Sequence, residues 1–155
     1  MSKHFLKKFT HSKITLFYTH HTNYHQMNVK IDTKEKFSVI TPVVKEIAAN
    51  MTGALKELLE PYLKNDIPHL ILNLRNVEIL AQDTAELISA IQQIFYENDI
   101  SFVICELKEQ PEKMLDEMDL LEFMNVTPTE SEAWDILQME EIERELMRDF
   151  DEDEA

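Results

Sequence analysis

A chain of 155 residues with one glycine has few ways to turn sharply or to wrap its backbone around a phosphate. Average usage near ~7% would give roughly ten or eleven glycines, and the sequence has only Gly53. G-x-G-x-x-G and G-x-x-x-x-G-K-[ST] therefore cannot occur, which excludes a Gly-rich nucleotide cradle. The lone Cys105 likewise excludes an internal disulfide, a C-x-x-C redox pair and a cysteine-rich zinc site. Such cysteine usage fits a reducing cytosol.

Thirty acidic against 15 basic side chains leave a formal charge of -15. A surface of that sign repels polyanions, so nucleic acid and anionic lipid are poor partners. No apolar run reaches the ~18 residues of a bilayer span, so direct membrane insertion is not expected. The start of the chain lacks a secretory signal pattern, and the reading is of a cytoplasmic protein. Charge is also unevenly spread. Residues 1–36 carry seven Lys against Asp32 and Glu35, a net of +5, whereas residues 140–155 carry nine acids against Arg144 and Arg148, a net of -7. Opposite ends of this kind attract each other, serve separate partners or remain solvated tails.

Between them, apolar periodicity alternates between two and three-to-four, the signature of an α/β fold. Phe37–Val44 is β-branched and strand-like, with Pro42 placing it at a sheet edge or near a strand end. A helix is expected from Thr52, with Leu55, Leu58, Leu59, Tyr62 and Leu63 on one face and Pro61 tightening its last turn. His69–Leu74 reads as a strand buried on both faces. Asp83–Asn98 follows as a helix with Leu87, Ile88, Ile91, Ile94 and Phe95 inward. Ile100–Cys105 is the next buried strand, and Pro111 opens a helix carrying Met114, Leu115, Met118 and Leu121. Thr129 begins the last helix, with Glu132 at capping-box spacing. Helices of this length between short strands imply right-handed parallel crossovers. The expected fold is a mixed, mostly parallel sheet of four to five strands flanked by about four helices.

The stretch LNLRNVEILAQDTAELI, residues 72–88, runs from a buried strand through a tight connection and a second apolar pair into a helix. It resembles the centre of a STAS domain, the fold of the anti-sigma factor antagonists. There a strand reading like L-D-L-S-G-V-x-F-I leads into D-S-S-G-L at a helix start. Lys45-Glu46-Ile47 falls where that family has Gly-Glu-Leu, and Ala133–Leu137 resembles its closing helix. The likeness covers roughly residues 37–138. It implies a non-enzymatic regulatory module that binds a partner protein, an anti-sigma factor with serine kinase-like character or another regulator. Its alternative implication is an accessory subunit of an ABC-type lipid-transport complex.

In the family the second serine of D-S-S is phosphorylated by that partner. Aligned without a gap, D-S-S becomes Ala81, Gln82 and Asp83, so the phosphorylatable hydroxyl is absent. The aspartate of G-E-L-D falls on Ala48, and the strand aspartate on Asn73. A one-residue shift would bring Thr84 to the phosphosite but would put Glu86 at a buried leucine position, so the shift is rejected. The resemblance thus marks Ala48, Ala81, Gln82, Asp83 and Thr84 as a partner-binding set exposed at a helix start. Asp83 has a purely structural reading as an N-cap that forms a capping box with Glu86. Its functional reading is electrostatic, since a phosphoserine carries about -1.5 to -2 and Asp83 supplies about half of that permanently.

No nucleophile, base and orienter can be named together, and no catalytic residue, cofactor or metal site is expected. Asp83 with Glu86 is explained by capping. His69 reads as a strand-start residue with a satisfied hydrogen bond, and Cys105 as a small buried hydrophobe. His11, His20, His21 and His25 form the one cluster with ligand potential, but their strand-forming neighbours oppose the helical spacing a site would need.

Three segments follow from this: a basic, His-rich extension over 1–36 that could add an edge strand, a domain over 37–138, and an acidic helical extension over 139–155. Met27 opens a natural start for the domain, which leaves residues 1–26 as an extension or as upstream sequence read in frame. At 100° per residue, Ala133, Trp134, Ile136 and Leu137 share one side of the last helix, and Met139, Ile142, Leu146 and Phe150 share roughly the opposite one. The first group should pack on the domain. The second should form an outward stripe for a docked helix, a homodimer or the N-terminal segment, unless the helix ends near Gln138.

Overall fold

The computed structural model describes residues 27–153. The cluster of His11, His20, His21 and His25 lies outside them. Among the described residues, seven strands and four α-helices follow one another in the order β1 (Val29–Thr33), β2 (Phe37–Pro42), β3 (Glu46–Ile47), α1 (Thr52–Leu59), β4 (His69–Asn73), β5 (Ile79–Leu80), α2 (Gln82–Glu97), β6 (Phe102–Cys105), α3 (Glu109–Glu117), β7 (Val126–Thr127) and α4 (Glu130–Asp153). The main sheet has the order β1-β2-β4-β6-β7. β1 is antiparallel to β2, and every other pairing in it is parallel, as the strand and helix alternation requires.

β1 lies at the sheet edge inside the segment set aside as an extension, and Met27 and Val29 are buried in the core. β2 is therefore an inner strand, and Pro42 occupies its end. After α1, Pro61 diverts the chain into a 3₁₀ turn over Glu60–Lys64, where its missing N–H costs no helical hydrogen bond.

Strand alternation divides the core in two. Ile40, Leu70, Leu72, Phe102 and Ile104 face α1, α2 and α3, while Phe37, Val39, Ile71, Val103 and Cys105 face α4. α2 buries Ile88, Ile91 and Phe95 as expected, but Ile94 is 38% exposed and Gln92 is buried in its stead. The Gln92 side chain acts as a surrogate peptide unit. Its Nε2 donates to the carbonyls of Phe102 (2.8 Å) and Asn125 (3.1 Å), and its Oε1 accepts from the Asn125 N–H at 3.0 Å. This joins β6 to the segment entering β7. The third helix begins two residues before Pro111 and stops at Glu117, so Leu121 falls in a separate 3₁₀ turn.

The scarcity of glycine is met by aspartate at two helix ends. Asp99 and Asp119 take left-handed φ values of 58° and 56°. Each sits two residues beyond the last residue of a helix whose carbonyls are closed by paired bonds, Ile100 N to Phe95 O (2.9 Å) with Asp99 N to Tyr96 O (3.1 Å), and Leu120 N to Leu115 O (3.0 Å) with Asp119 N to Asp116 O (3.0 Å). This is the Schellman arrangement, normally completed by glycine.

α4 runs unbroken from Glu130 to Asp153, so the helix does not end near Gln138. Thr129 caps it, its Oγ1 accepting from the Glu132 N–H at 3.2 Å. Ala133 and Leu137 are buried on the sheet. Trp134 was expected with them, yet it stays 47% exposed and tilts against Phe37 at 6.1 Å between ring centroids.

Candidate functional site

β3 and β5 form a ribbon of their own, parallel, with Ile47 opposite Leu80. Each is two residues long, so neighbouring groups must hold it. The Lys45 carbonyl accepts from the N–H groups of Glu78 (2.7 Å) and Ile79 (3.1 Å), and the Ala81 N–H donates to the Ile47 carbonyl at 3.0 Å. On the far side, Gln110 of α3 pairs with Leu80 like a further strand, accepting from its N–H at 2.8 Å and donating to its carbonyl at 3.3 Å. The β4–β5 connection is pinned as well. Asn73 Oδ1 accepts from the Arg75 N–H at 3.0 Å, its Nδ2 donates to Glu106, and Asn76 Nδ2 donates to the Pro42 carbonyl at 3.2 Å.

Because the ribbon strands are parallel, both release the chain at the same end. Ala48 leads into the 3₁₀ turn Ala49–Met51 and then α1, and Ala81 leads into α2. The expected set of Ala48, Ala81, Gln82 and Asp83 is thereby brought together. Ala48 and Ala81 are half-buried, whereas Gln82 and Asp83 are exposed, as are Ala49 and Asn50 beside them.

Two local expectations are corrected. Asp83 is not the N-cap. Ala81 holds that position in an extended conformation, φ -71° and ψ 152°, with no side-chain cap. Its N–H is committed to the ribbon, so the helix starts one residue earlier, at Gln82, and no Asp83–Glu86 capping box forms. Asp83 is an exposed first-turn carboxylate with no ion pair among the described residues, where the helix dipole favours negative charge. Glu86 instead accepts from Gln82 Nε2 at 3.3 Å.

Thr84, expected at the surface, is fully buried, with its Oγ1 3.0 Å from that of Thr52 at the start of α1. That bond joins the first turns of the two helices. Thr52, Gln110 and the half-exposed Ile79 are the contributors that sequence reasoning missed. Only Ile79 left a trace, as part of the apolar pair before the helix.

Elsewhere, His69 Nδ1 accepts from the Ser101 N–H at 3.0 Å, as its strand-start reading anticipates. Burial first, and the Arg144 guanidinium second, hold its imidazole below the usual range, against a smaller opposing pull from Glu141 and Glu140. Burial, reinforced by Glu106 and Glu130, pushes the Cys105 thiol up to about 12. That thiol stays protonated at neutral pH and is a poor nucleophile. Burial also raises the Tyr62 hydroxyl, with a hydrogen bond to Ser38 working the other way. Among the described residues no helix is long and apolar enough to cross a membrane, and no three His, Cys, Asp or Glu side chains gather as metal ligands.

The STAS domain family model matches residues 28–133, and this chain belongs to that family. No curated protein matches the sequence. The fold is similar to that of an anti-sigma factor antagonist from Mycobacterium paratuberculosis, with a TM-score of 0.65 at 16% identity over 73% of this chain and 95% of that one. A serine-to-glutamate variant of RsbS from Moorella thermoacetica matches with a TM-score of 0.59 at 19% identity, over 71% and 94% of the two chains. SLC26A9 matches with a TM-score of 0.56 at 12% identity, where 74% of this chain corresponds to 22% of the larger protein.

Proposed function

We propose that this chain is a non-enzymatic, cytoplasmic STAS regulator, an anti-sigma factor antagonist or a related protein, that binds a partner through the surface of Ala48, Ala81, Gln82 and Asp83. The observation that carries the reading is the exposed Asp83 carboxylate in the first turn of α2, beside the parallel exit of the β3 chain. Asp83 takes the place of the family's phosphoserine and holds a permanent charge there. The ungapped register behind this has support in burial, because Ala85 then falls at the buried leucine position and is fully buried, whereas the shifted register would put exposed Glu86 there. Thr84, the nearest hydroxyl in the chain, is enclosed and bonded to Thr52, out of reach of a kinase.

Binding to the cognate kinase-type anti-sigma factor, measured by calorimetry, tests this. Asp83→Lys lowers the affinity by about tenfold or more through reversed charge and leaves the far-UV spectrum unchanged. Phosphopeptide mapping after incubation with that partner and ATP finds no label on residues 81–84. Undiminished affinity in the variant, or label on Thr84, defeats the reading. The SLC26A9 match motivates a second reading, since a STAS fold also occurs within a far larger chain: an accessory subunit of an ABC-type lipid-transport complex. Co-purification of an ABC-type ATPase in place of an anti-sigma factor selects it.

A further inference from the structure

α4 leaves the body of the domain by degrees. Ala133 and Leu137 bury its first two turns, while polar contacts hold the next two. There Glu140 and Arg144 meet Ser101, and Glu141 meets Lys36 at 3.5 Å. From Glu145 to Asp153 every residue is exposed. On the outer side Met139, Ile142, Leu146 and Phe150 fall within an arc of about 80°, with exposures between 54% and 68%.

Where this stripe passes the sheet, Ile142 also lines a groove of about 830 Å³ between α4 and the β1–β2 hairpin. Phe37, Val39, Trp134 and Leu137 supply the rest of its apolar lining. Apolar surface is therefore continuous from the groove onto the helix. The charge beside it is one-sided. Lys34 and Lys36 at the groove are already paired with Asp32 (3.0 Å) and Glu141 (3.5 Å). Glu130 and Glu145 line the groove and Glu143 flanks the stripe, none with an ion pair among the described residues.

We propose that groove and stripe form a docking surface for a basic amphipathic helix of another protein, with apolar residues every three to four positions and Lys or Arg beside them. A second copy would bring the same carboxylates against these, and an anionic lipid surface would meet them with like charge. A basic helix supplies what the surface lacks. The surface is separate from the one at Asp83, and the proposal stands without it.

Trp134 is the only tryptophan and sits in the groove, so its emission reports occupancy. The full chain is titrated with two synthetic amphipathic peptides sharing one leucine pattern, one with a lysine polar face and one with glutamate. The lysine peptide shifts Trp134 emission to the blue and binds about tenfold more weakly at high salt, where screening is short-ranged, and the glutamate peptide does neither. Ile142→Asp and Leu146→Asp, both at exposed positions, leave the far-UV spectrum unchanged and weaken the lysine peptide by about tenfold or more.

Equal binding by wild type and the Ile142→Asp variant reduces the effect to general charge attraction and overturns the proposal. Emission that is already blue in the free chain overturns it too, pointing to a second copy if it reddens on dilution. It points to the chain's own N-terminal segment if it reddens when Lys3, Lys7, Lys8 and Lys13 are replaced by Glu.

Discussion

On one face of the five-stranded sheet, α1, α2 and α3 enclose Leu55, Leu59, Leu72, Ile88 and Phe95 so completely that none of their side chains meets solvent appreciably. On the other face α4 works alone, resting on Ala133 and Leu137 and then on the polar contacts of Glu140, Glu141 and Arg144. The first face gathers apolar burial, the main favourable term in folding. The second has an open groove and a helix that outruns its support by more than two turns. Stability and availability for binding are thus separated across one layer of strands, and the Asp83 surface lies at the end of the well-packed half.

The sharpest way to break that contrast is to excavate each face. Phe95→Ala removes a fully buried ring that meets Phe102 edge-on at 5.1 Å and costs about 3–5 kcal/mol. Leu137→Ala, beside the groove, costs about 2–3 kcal/mol, because the cavity it leaves opens toward solvent. Urea denaturation of both variants gives the order, and equal losses would erase the distinction between the faces. Next in size is the polar latch. Asn125 Nδ2 donates to Glu140 at 3.0 Å, Ser101 donates to the same carboxylate, and Arg144 Nη2 donates to Ser101 Oγ at 2.8 Å. Glu140→Ala costs about 1–2 kcal/mol, and hydrogen exchange quickens in α4 beyond Gln138 while β4 and β6 keep their protection.

The smallest effect is one of pH. His69 lies on the α4 side of β4, with Arg144, Glu140 and Glu141 around it, and burial lowers its folded pKa. The unfolded chain therefore takes up the proton first, so this contribution is present above roughly pH 6.5 and is lost as the pH falls below that value. His69→Asn flattens the stability curve in this window, as followed by thermal melts in steps of pH. An unchanged slope would remove His69 from the account.

How far the sequence foretold this depends on the range of the interaction involved. His69–Asn73, Phe102–Cys105 and the inward faces of α1 and α2 announce themselves by period, because burial acts on every second or every third to fourth residue. Two-residue strands such as β3 and β7 are too short to carry a period. Ile94 was misjudged for a related reason, since its apolar side chain fits the pattern while Gln92, two residues earlier, is turned inward by partners on β6 and Asn125. At the candidate site the family resemblance located the segment, but local rules placed the cap at Asp83. What moved it to Ala81 is a bond to Ile47, 34 residues away in the chain, and only the folded sheet brings that carbonyl near. Thr84 was placed outside for the same cause, its partner Thr52 belonging to another helix.

The ribbon of β3 and β5 couples the exits toward α1 and α2 through Ala81 and Ile47, and the Thr52–Thr84 bond ties the two first turns a second time. Ala48 follows Ile47 at the end of one strand and Asp83 lies two residues past Ala81 at the end of the other, so both positions are set by the same bonded frame. A partner of the kind proposed would meet a template already fixed by these bonds, with little ordering entropy left to lose on contact. Tuning it by evolution or by design is accordingly a matter of exchanging side chains on a fixed frame.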